Sequence, residues 1–379
     1  MSGTPAWRIL LSPPEVGDVE RDLLLEAFDS NWIAPVGPAL NLFEDDLCGM
    51  TGAPGAVALS SGTAALRLSL QALGVTTGDD VMVPTLTFAA SAFAVSHLGA
   101  RPCFVDSERT TWHMETALLA EELRRRAAVS ELPAAVVGVD LYGSVADGRR
   151  LAELCGEYEI PYLSDSAEAA GAHRDGRHAG RFAAAAVLSF NGNKIVTTSG
   201  GGAVVTDSPE LAERVRSMSA QARSPVPWYE HEEVGDNCRL SNLCAAVGRG
   251  QLATLPGRIE KRRSVRAAYE HRLARIPGVA FQGVPEECRP NHWLTTLTLD
   301  QEIHPGGRDA VISALHAEAI EARHGFKPMH LQPVYRGHPS VGGDVASSLF
   351  ATSVSLPSGS RLTVEEISEI GDVIESALG

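Results

Sequence analysis

Cysteine is sparse and unpatterned: the six residues at 48, 103, 155, 238, 244 and 288 form no Cys-x-x-Cys pair and accompany no paired-histidine spacing. This excludes a disulfide-stapled scaffold and a zinc site, so no metal is expected and the thiols read as reduced ones of a cytoplasmic protein. Positive charge is also short. With 32 Lys and Arg against 47 Asp and Glu the chain carries a formal net charge of -15, which disfavours nucleic acid and anionic membranes, because phosphate backbones demand clustered cations. A nucleotide can still bind through local cations. No apolar run reaches the ~20 residues of a membrane span, and Met1 to Leu11 lacks the basic start and apolar stretch of a signal peptide. There is no internal repeat and no low-complexity tract.

What the chain does have is length and a core: 379 residues, 44% of them hydrophobic, enough for a large domain and a smaller one. Apolar strand candidates at 56–59, 81–83, 102–105, 134–139, 160–163, 185–190 and 202–205 alternate with helical patterns. The alternation predicts an α/β fold with a mostly parallel seven-stranded sheet and helices on both faces. From about Leu240 to Ile276 an Arg-rich helical pattern bridges the domains, with Pro256 expected to kink or split it. Its basic run Lys261-Arg262-Arg263 reads mostly as a solvated helix face. We expect a large domain over 1–250 and a small α+β domain over 251–379. The last helix carries Ile367, Ile370, Ile374 and Leu378 on one stripe behind a Thr363/Glu366 capping box. The loop from Ala222 to Asp236 is expected near a partner subunit.

Four separated pieces carry chemistry. Lys194 follows an apolar strand in Ser189-Phe-Asn-Gly-Asn-Lys-Ile-Val-Thr-Thr-Ser-Gly-Gly-Gly202, hemmed by small polar residues. A free lysine amine, with a pKa near ~10.4, needs burial or a neighbouring cation to act as a nucleophile. A surface lysine in a turn is the plainer alternative. Asp165 ends the short strand around Ile160 to Leu163, where open α/β sheets bind ligands. With Glu168 three residues on, it also reads as a helix cap. Gly62 and Thr63 open a helix after the strand 56–59 and offer free N–H groups to a phosphate, or form an ordinary strand-to-helix turn. Phe88, after Pro84-Thr-Leu-Thr, either faces a flat ligand or joins the core.

The order and spacing of these pieces resemble the DegT/StrS nucleotide-sugar aminotransferases, pyridoxal 5'-phosphate (PLP) enzymes of fold type I. The resemblance covers nearly the whole chain. It is closest to enzymes that aminate C4 of a UDP-4-keto-6-deoxy-N-acetylhexosamine in bacillosamine synthesis, through Ser30-Asn-Trp-Ile-Ala-Pro35, Asn191-Gly-Asn-Lys-Ile195, Lys327-Pro-Met-His-Leu-Gln332 and Leu356-Pro-Ser-Gly359. It implies Lys194 as the Schiff-base lysine and proton shuttle, and Asp165 as partner of the pyridinium nitrogen. Glu168 would lie beside the phenolic oxygen, Gly62, Thr63 and Ser189 would bind phosphate, and Phe88 would stack on the ring. Asn237 would reach the cofactor phosphate of the neighbouring subunit, which implies a homodimer with shared sites. L-Glutamate is the implied donor and a nucleotide-linked keto-sugar the acceptor.

Asn31 and Trp32 are candidates for the sugar pocket, with an aromatic staple at a helix end as the alternative. Arg323 and Lys327 are the better candidates for nucleotide contact. His330 is either a substrate-side group or a hydrogen-bonded histidine of the small domain. Two positions depart from the family pattern: Asp140 stands where the family commonly has His, and Ser164-Asp165-Ser166 replaces Glu-Asp-Ala. Asp140 is either an anion poorly matched to a nearby phosphate or a strand-end cap, and the serines would add hydroxyls beside the cofactor ring. Neither departure touches Lys194. Amination of a dTDP- or GDP-linked keto-sugar or a cyclitol ketone, and a cofactor-binding protein without turnover, remain alternatives.

Overall fold

The computed structural model describes residues 7–379, so the first six residues of the segment inspected for a leader lie outside the described residues. All seven strands of the large sheet form: β1 (Gly55–Leu59), β2 (Asp80–Pro84), β3 (Arg101–Val105), β4 (Ala135–Val139), β5 (Tyr162–Asp165), β6 (Ala185–Ser189) and β7 (Gly202–Thr206). These strands are almost wholly buried and read as continuous apolar runs, as a sheet covered on both faces requires. An eighth strand, two residues at Ser340–Val341, adds parallel to β3. The order is β1-β7-β6-β5-β4-β2-β3 and then that short strand. Only β7 runs against its neighbours, β1 and β6.

Helices alternate with the strands, and their ends follow local chemistry. Helix α1 (Asp18–Asp29) and α2 (Pro38–Thr51) precede β1; α2 begins with proline at its first position and ends at left-handed Gly52. Helix α3 (Gly62–Ala72) is capped by the Ser61 hydroxyl, which accepts from Ala64 N at 3.0 Å. Helix α4 (Ala89–His97) follows β2, α5 (Thr116–Ala127) follows β3, α6 (Gly148–Gly156) follows β4 and α7 (Pro209–Ser219) follows β7.

Helix α8 (Asn242–Leu273) runs 32 residues without a break, so Pro256 does not split it. Proline removes one backbone hydrogen bond, and packing on both sides of that position holds the helix together. Ala245, Leu255 and Ile259 join the core under the large sheet, while Val265, Tyr269 and Leu273 join a second core. Position 250 therefore lies inside a helix that serves both cores. The second core gathers Ile9 of the N-terminal segment with β8 (Val279–Phe281), β9 (Thr295–Leu299), α9 (Gly307–Ala317), β12 (Ser353–Leu356) and α11 (Val364–Leu378). Strand β10 (Arg323–His324) pairs with β12, β11 is the Ser340–Val341 strand of the large sheet, and α10 (Asp344–Thr352) sends Ala346 and Leu349 into the core under the large sheet. Strands β8, β9, β12 and β10 form an antiparallel sheet in that order. The Thr363/Glu366 capping box is present, Thr363 N donating to Glu366 at 2.9 Å and Glu366 N to the Thr363 hydroxyl at 3.1 Å.

Candidate active site

A cavity of about 440 Å³ opens at the carboxyl ends of β4, β5 and β6, where α3 starts and the second core meets the large sheet. Gly62, Thr63, Phe88, Asp165, Glu168, Ser189, Lys194 and Arg323 line it together. Eight residues spread over 261 positions are thus brought to one wall.

Lys194 sits on a turn that closes immediately after β6: Lys194 N donates to Asn191 O at 2.9 Å, and Thr198 N returns to Phe190 O at 2.9 Å. Gln251 of α8 accepts from Thr197 N at 3.1 Å, and the Ser12 hydroxyl donates to Asn193 O at 2.8 Å, so both flanks of the lysine are tied down. Its amine lies 3.3 Å from Glu168 Oε1 and 3.9 Å above the Trp293 ring centroid. Glu168 is itself fixed, its other oxygen accepting from Tyr142 N at 2.7 Å. Tyr142 is buried with φ 56°, a left-handed conformation that aims its N–H at that carboxylate.

Asp165 is the last residue of β5 and is buried. Its donors among the described residues are neutral: Ser91 Oγ at 2.6 Å and Ala167 N at 3.2 Å. Burial pushes the Asp165 carboxyl up, only partly offset by Ser91, Ala167 N and Lys194. Glu168 is pushed up by burial as well, against the opposing pull of Lys194. No helix follows Asp165, so the cap reading fails there and the carboxylate is left facing the cavity.

Opposite, the first N–H groups of α3 have no carbonyl partner within the helix, and Ser61 satisfies the one at Ala64. The approach is tight: a Cβ on Gly62 would lie 3.0 Å from Ser189 Cβ, and one on Gly202 would lie 2.5 Å from Gly62 N. Only glycine at 202 lets β7 pass beneath that helix start.

Over residues 14–375 the chain matches the DegT/DnrJ/EryC1/StrS aminotransferase family. The protein belongs to that family. Its relatives include EpsN of Bacillus subtilis (strain 168), a pyridoxal phosphate-dependent aminotransferase by name, 40% identical over 372 residues that make up 97% of this chain and 95% of EpsN. GDP-perosamine synthase of Caulobacter vibrioides is 34% identical over the full length of both chains. Among solved structures, the aminotransferase TlmJ of Streptoalloteichus hindustanus superposes with a TM-score of 0.90 at 28% identity, covering 98% of each chain. The chain is accordingly a PLP-dependent sugar aminotransferase with the type I fold.

The cavity of this aminotransferase fits the cofactor. Phosphate would meet the α3 N-terminus and the Ser189 hydroxyl, and a cationic ring nitrogen would supply the positive partner that Asp165 lacks. Phe88 is 58% exposed with its ring 5.9 Å from that of Phe326, so it is a wall of the cavity and not core.

Other expected residues lie elsewhere. Asn31 and Trp32 occupy the turn after α1, Asn31 with φ 64° and Trp32 46% exposed, and neither lines the cavity. Lys327 is exposed outside it, and Asn237 is exposed in the segment between α7 and α8. His330 packs between Thr85 and Ser347, its Nδ1 2.6 Å from the Thr85 hydroxyl and its Nε2 3.2 Å from that of Ser347, which is the hydrogen-bonded alternative. Asp140 does not face a phosphate: it is buried, accepting from Ser166 Oγ at 2.6 Å, Ser164 Oγ at 3.4 Å and Ala146 N at 2.8 Å. The two departures from the family pattern thus satisfy each other, and the serine hydroxyls turn away from the cavity.

Trp293, Ser91 and Tyr142 are the site residues that sequence reasoning missed. None of the three lies in a segment whose pattern points to chemistry. Arg262, expected among solvated cations, points inward and donates to Trp293 O at 2.5 Å.

Proposed function

We propose that the enzyme transfers an amino group from L-glutamate to C4 of a nucleotide-linked 4-keto-6-deoxysugar, a UDP-N-acetylhexosamine derivative in the first reading. The observation that supports amino transfer is the Lys194 amine held 3.3 Å from Glu168 in the same cavity as buried Asp165. Bound there, PLP supplies a reactive aldehyde and a protonated ring that acts as an electron sink. Asp165 would keep the ring nitrogen protonated, while Gly62, Thr63 and Ser189 would hold the phosphate and Phe88 would cover the ring. Lys194 would hold the aldehyde end of the cofactor at rest, and its Nζ, once free, would take the proton from the donor's Cα. Glu168 orients that amine. Arg323, which lines the cavity and is paired with Glu321, would turn to a substrate anion.

Asn237 of one subunit would complete the phosphate site of its partner in a homodimer, which accords with its exposure outside the cavity of its own chain. A cytoplasmic location accords with six free cysteines and with the absence, among the described residues, of any helix long and apolar enough to cross a membrane. The choice of UDP and of C4 rests on the resemblance of the segments around Trp32, Lys194, Met329 and Pro357. A GDP-linked 4-keto-6-deoxysugar is the second reading, favoured by 34% full-length identity to a GDP-perosamine synthase.

The test is the visible absorption of the purified enzyme and of Lys194→Ala, followed through additions of L-glutamate and then of UDP-, dTDP- and GDP-linked 4-keto-6-deoxysugars. The expected result is a band that requires Lys194, is bleached by glutamate and returns with the UDP sugar. Return with the GDP sugar alone selects the second reading, and a band indifferent to every amino donor sinks both.

A further inference from the structure

The amine of Lys194 has two neighbours, and only one of them is a carboxylate. Its other contact is the face of Trp293, 3.9 Å from ammonium to ring centroid. Trp293 is 3% exposed and lines the cavity, and its position is secured at every polar atom. Its backbone N–H donates to Asn291 Oδ1 at 2.9 Å, its carbonyl accepts from Arg262, and its indole Nε1 donates to Asn193 O at 2.7 Å. Asn193 O also accepts from Ser12, whose hydroxyl in turn lies 3.2 Å from Arg262. The indole is therefore bonded to the residue immediately before Lys194 while its face lies beneath the lysine's own charge.

An aromatic face attracts an ammonium and is indifferent to a neutral amine. Lys194 is an ammonium only while it is detached from the cofactor and holds the proton taken from the donor. Resting on the role of Lys194 proposed above, we infer that Trp293 is a positioning residue that seats the detached, protonated Lys194 between its indole face and Glu168. The other charged or titratable groups on the same cavity are Asp165 from β5 and Arg323 and His324 from β10, none of them in an ion pair with the amine. With water excluded on the Trp293 side, the seat returns the amine to one location from which it reaches the reacting carbon. The ring covers one side of the amine and attracts it, so loss of the face lets the detached amine leave the seat and meet solvent.

The experiment uses holoenzyme treated with L-glutamate, which frees the lysine, and measures labelling of Lys194 by an amine-reactive reagent from pH 6 to 10, quantified by peptide mass spectrometry. Trp293→Leu should label about tenfold faster than wild type near pH 7, the ratio expected for losing a desolvated cation–π contact. Trp293→Phe, which keeps a face and loses the indole N–H, should label within about threefold of wild type. In steady-state assays Trp293→Leu should lower kcat with little change in KM for glutamate. Equal labelling profiles in Trp293→Leu and wild type, or a Trp293→Phe profile as altered as that of Trp293→Leu, would overturn the inference. If Lys194 labels equally before and after glutamate in the wild type, the role of the lysine itself fails, which is a different outcome. The Trp293→Phe arm keeps the test decisive should the leucine variant fold poorly.

Discussion

Asp140 shows how one residue can be costly to bury and still be kept. Burial pushes its carboxyl from 3.8 up to about 6, against the lowering effect of Ser166 and Ala146 N. A carboxyl raised on folding binds more protons in the native than in the unfolded state between those values, so its contribution to stability falls as pH rises from about 4 to about 6. At roughly 1.4 kcal/mol per unit, the loss is on the order of 3 kcal/mol by neutral pH. Asparagine is nearly isosteric and can accept from Ala146 N while donating to the two serine oxygens. Asp140→Asn should therefore gain in urea midpoint over wild type by an amount that grows from pH 4.5 to 6.5, and a difference that stays constant with pH would show that the penalty lies elsewhere. Burial raises Asp165 and Glu168 in the same direction, while the buried His113 and His178, lowered to about 4, contribute the opposite slope.

Helix α8 carries the second lesson, because it joins the lysine turn to the helix α1 through buried polar groups. Glu20 Oε1 accepts from Gln251 Nε2 at 2.7 Å and Arg258 Nη2 at 2.9 Å, and the same Gln251 accepts from Thr197 N just past Lys194. Burial alone would raise the Glu20 carboxyl, but backbone N–H groups and Arg258 outweigh it and hold it low. Breaking such a pair from one side leaves a buried charge unpaired and costs about 3–5 kcal/mol, whereas replacing both partners by apolar groups is often neutral. Arg258→Met should destabilise the enzyme by about 3 kcal/mol in urea unfolding. Glu20→Leu combined with Arg258→Met should recover most of that loss; no recovery would mean that Arg258 acts through packing and not through charge.

At the scale of the whole molecule, one chain brings to the cavity every residue expected to hold the cofactor except Asn237. If that residue serves the partner's site, Lys194→Ala and Asn237→Ala chains are each impaired alone, yet a dimer mixed from the two contains one intact site. Random mixing should return about a quarter of wild-type turnover, half of the dimers being mixed and each carrying one good site of two. Activity no greater than the mean of the two parents would place Asn237 outside the shared site. The formal charge of -15 per chain doubles in such a dimer, so assembly should tighten as salt screens the repulsion.

The strands, their alternation with helices, the capping box of α11 and the segments that bring Lys194, Asp165 and Gly62 to one cavity were legible in the sequence. They depend on local patterns: apolar runs, a cap residue, glycines at a helix start, a lysine after a strand. Pro256 misled because propensity is local, and packing from two cores carries the helix past it. Tertiary structure alone decided that Trp293, ninety-nine positions after Lys194, lies beneath its amine, that Arg262 turns inward to hold Trp293, and that Asp140 meets Ser164 and Ser166 instead of the cavity. These pairings join different elements, where no period or spacing records which side chain will face which, and only the way the elements pack sets the distance between them.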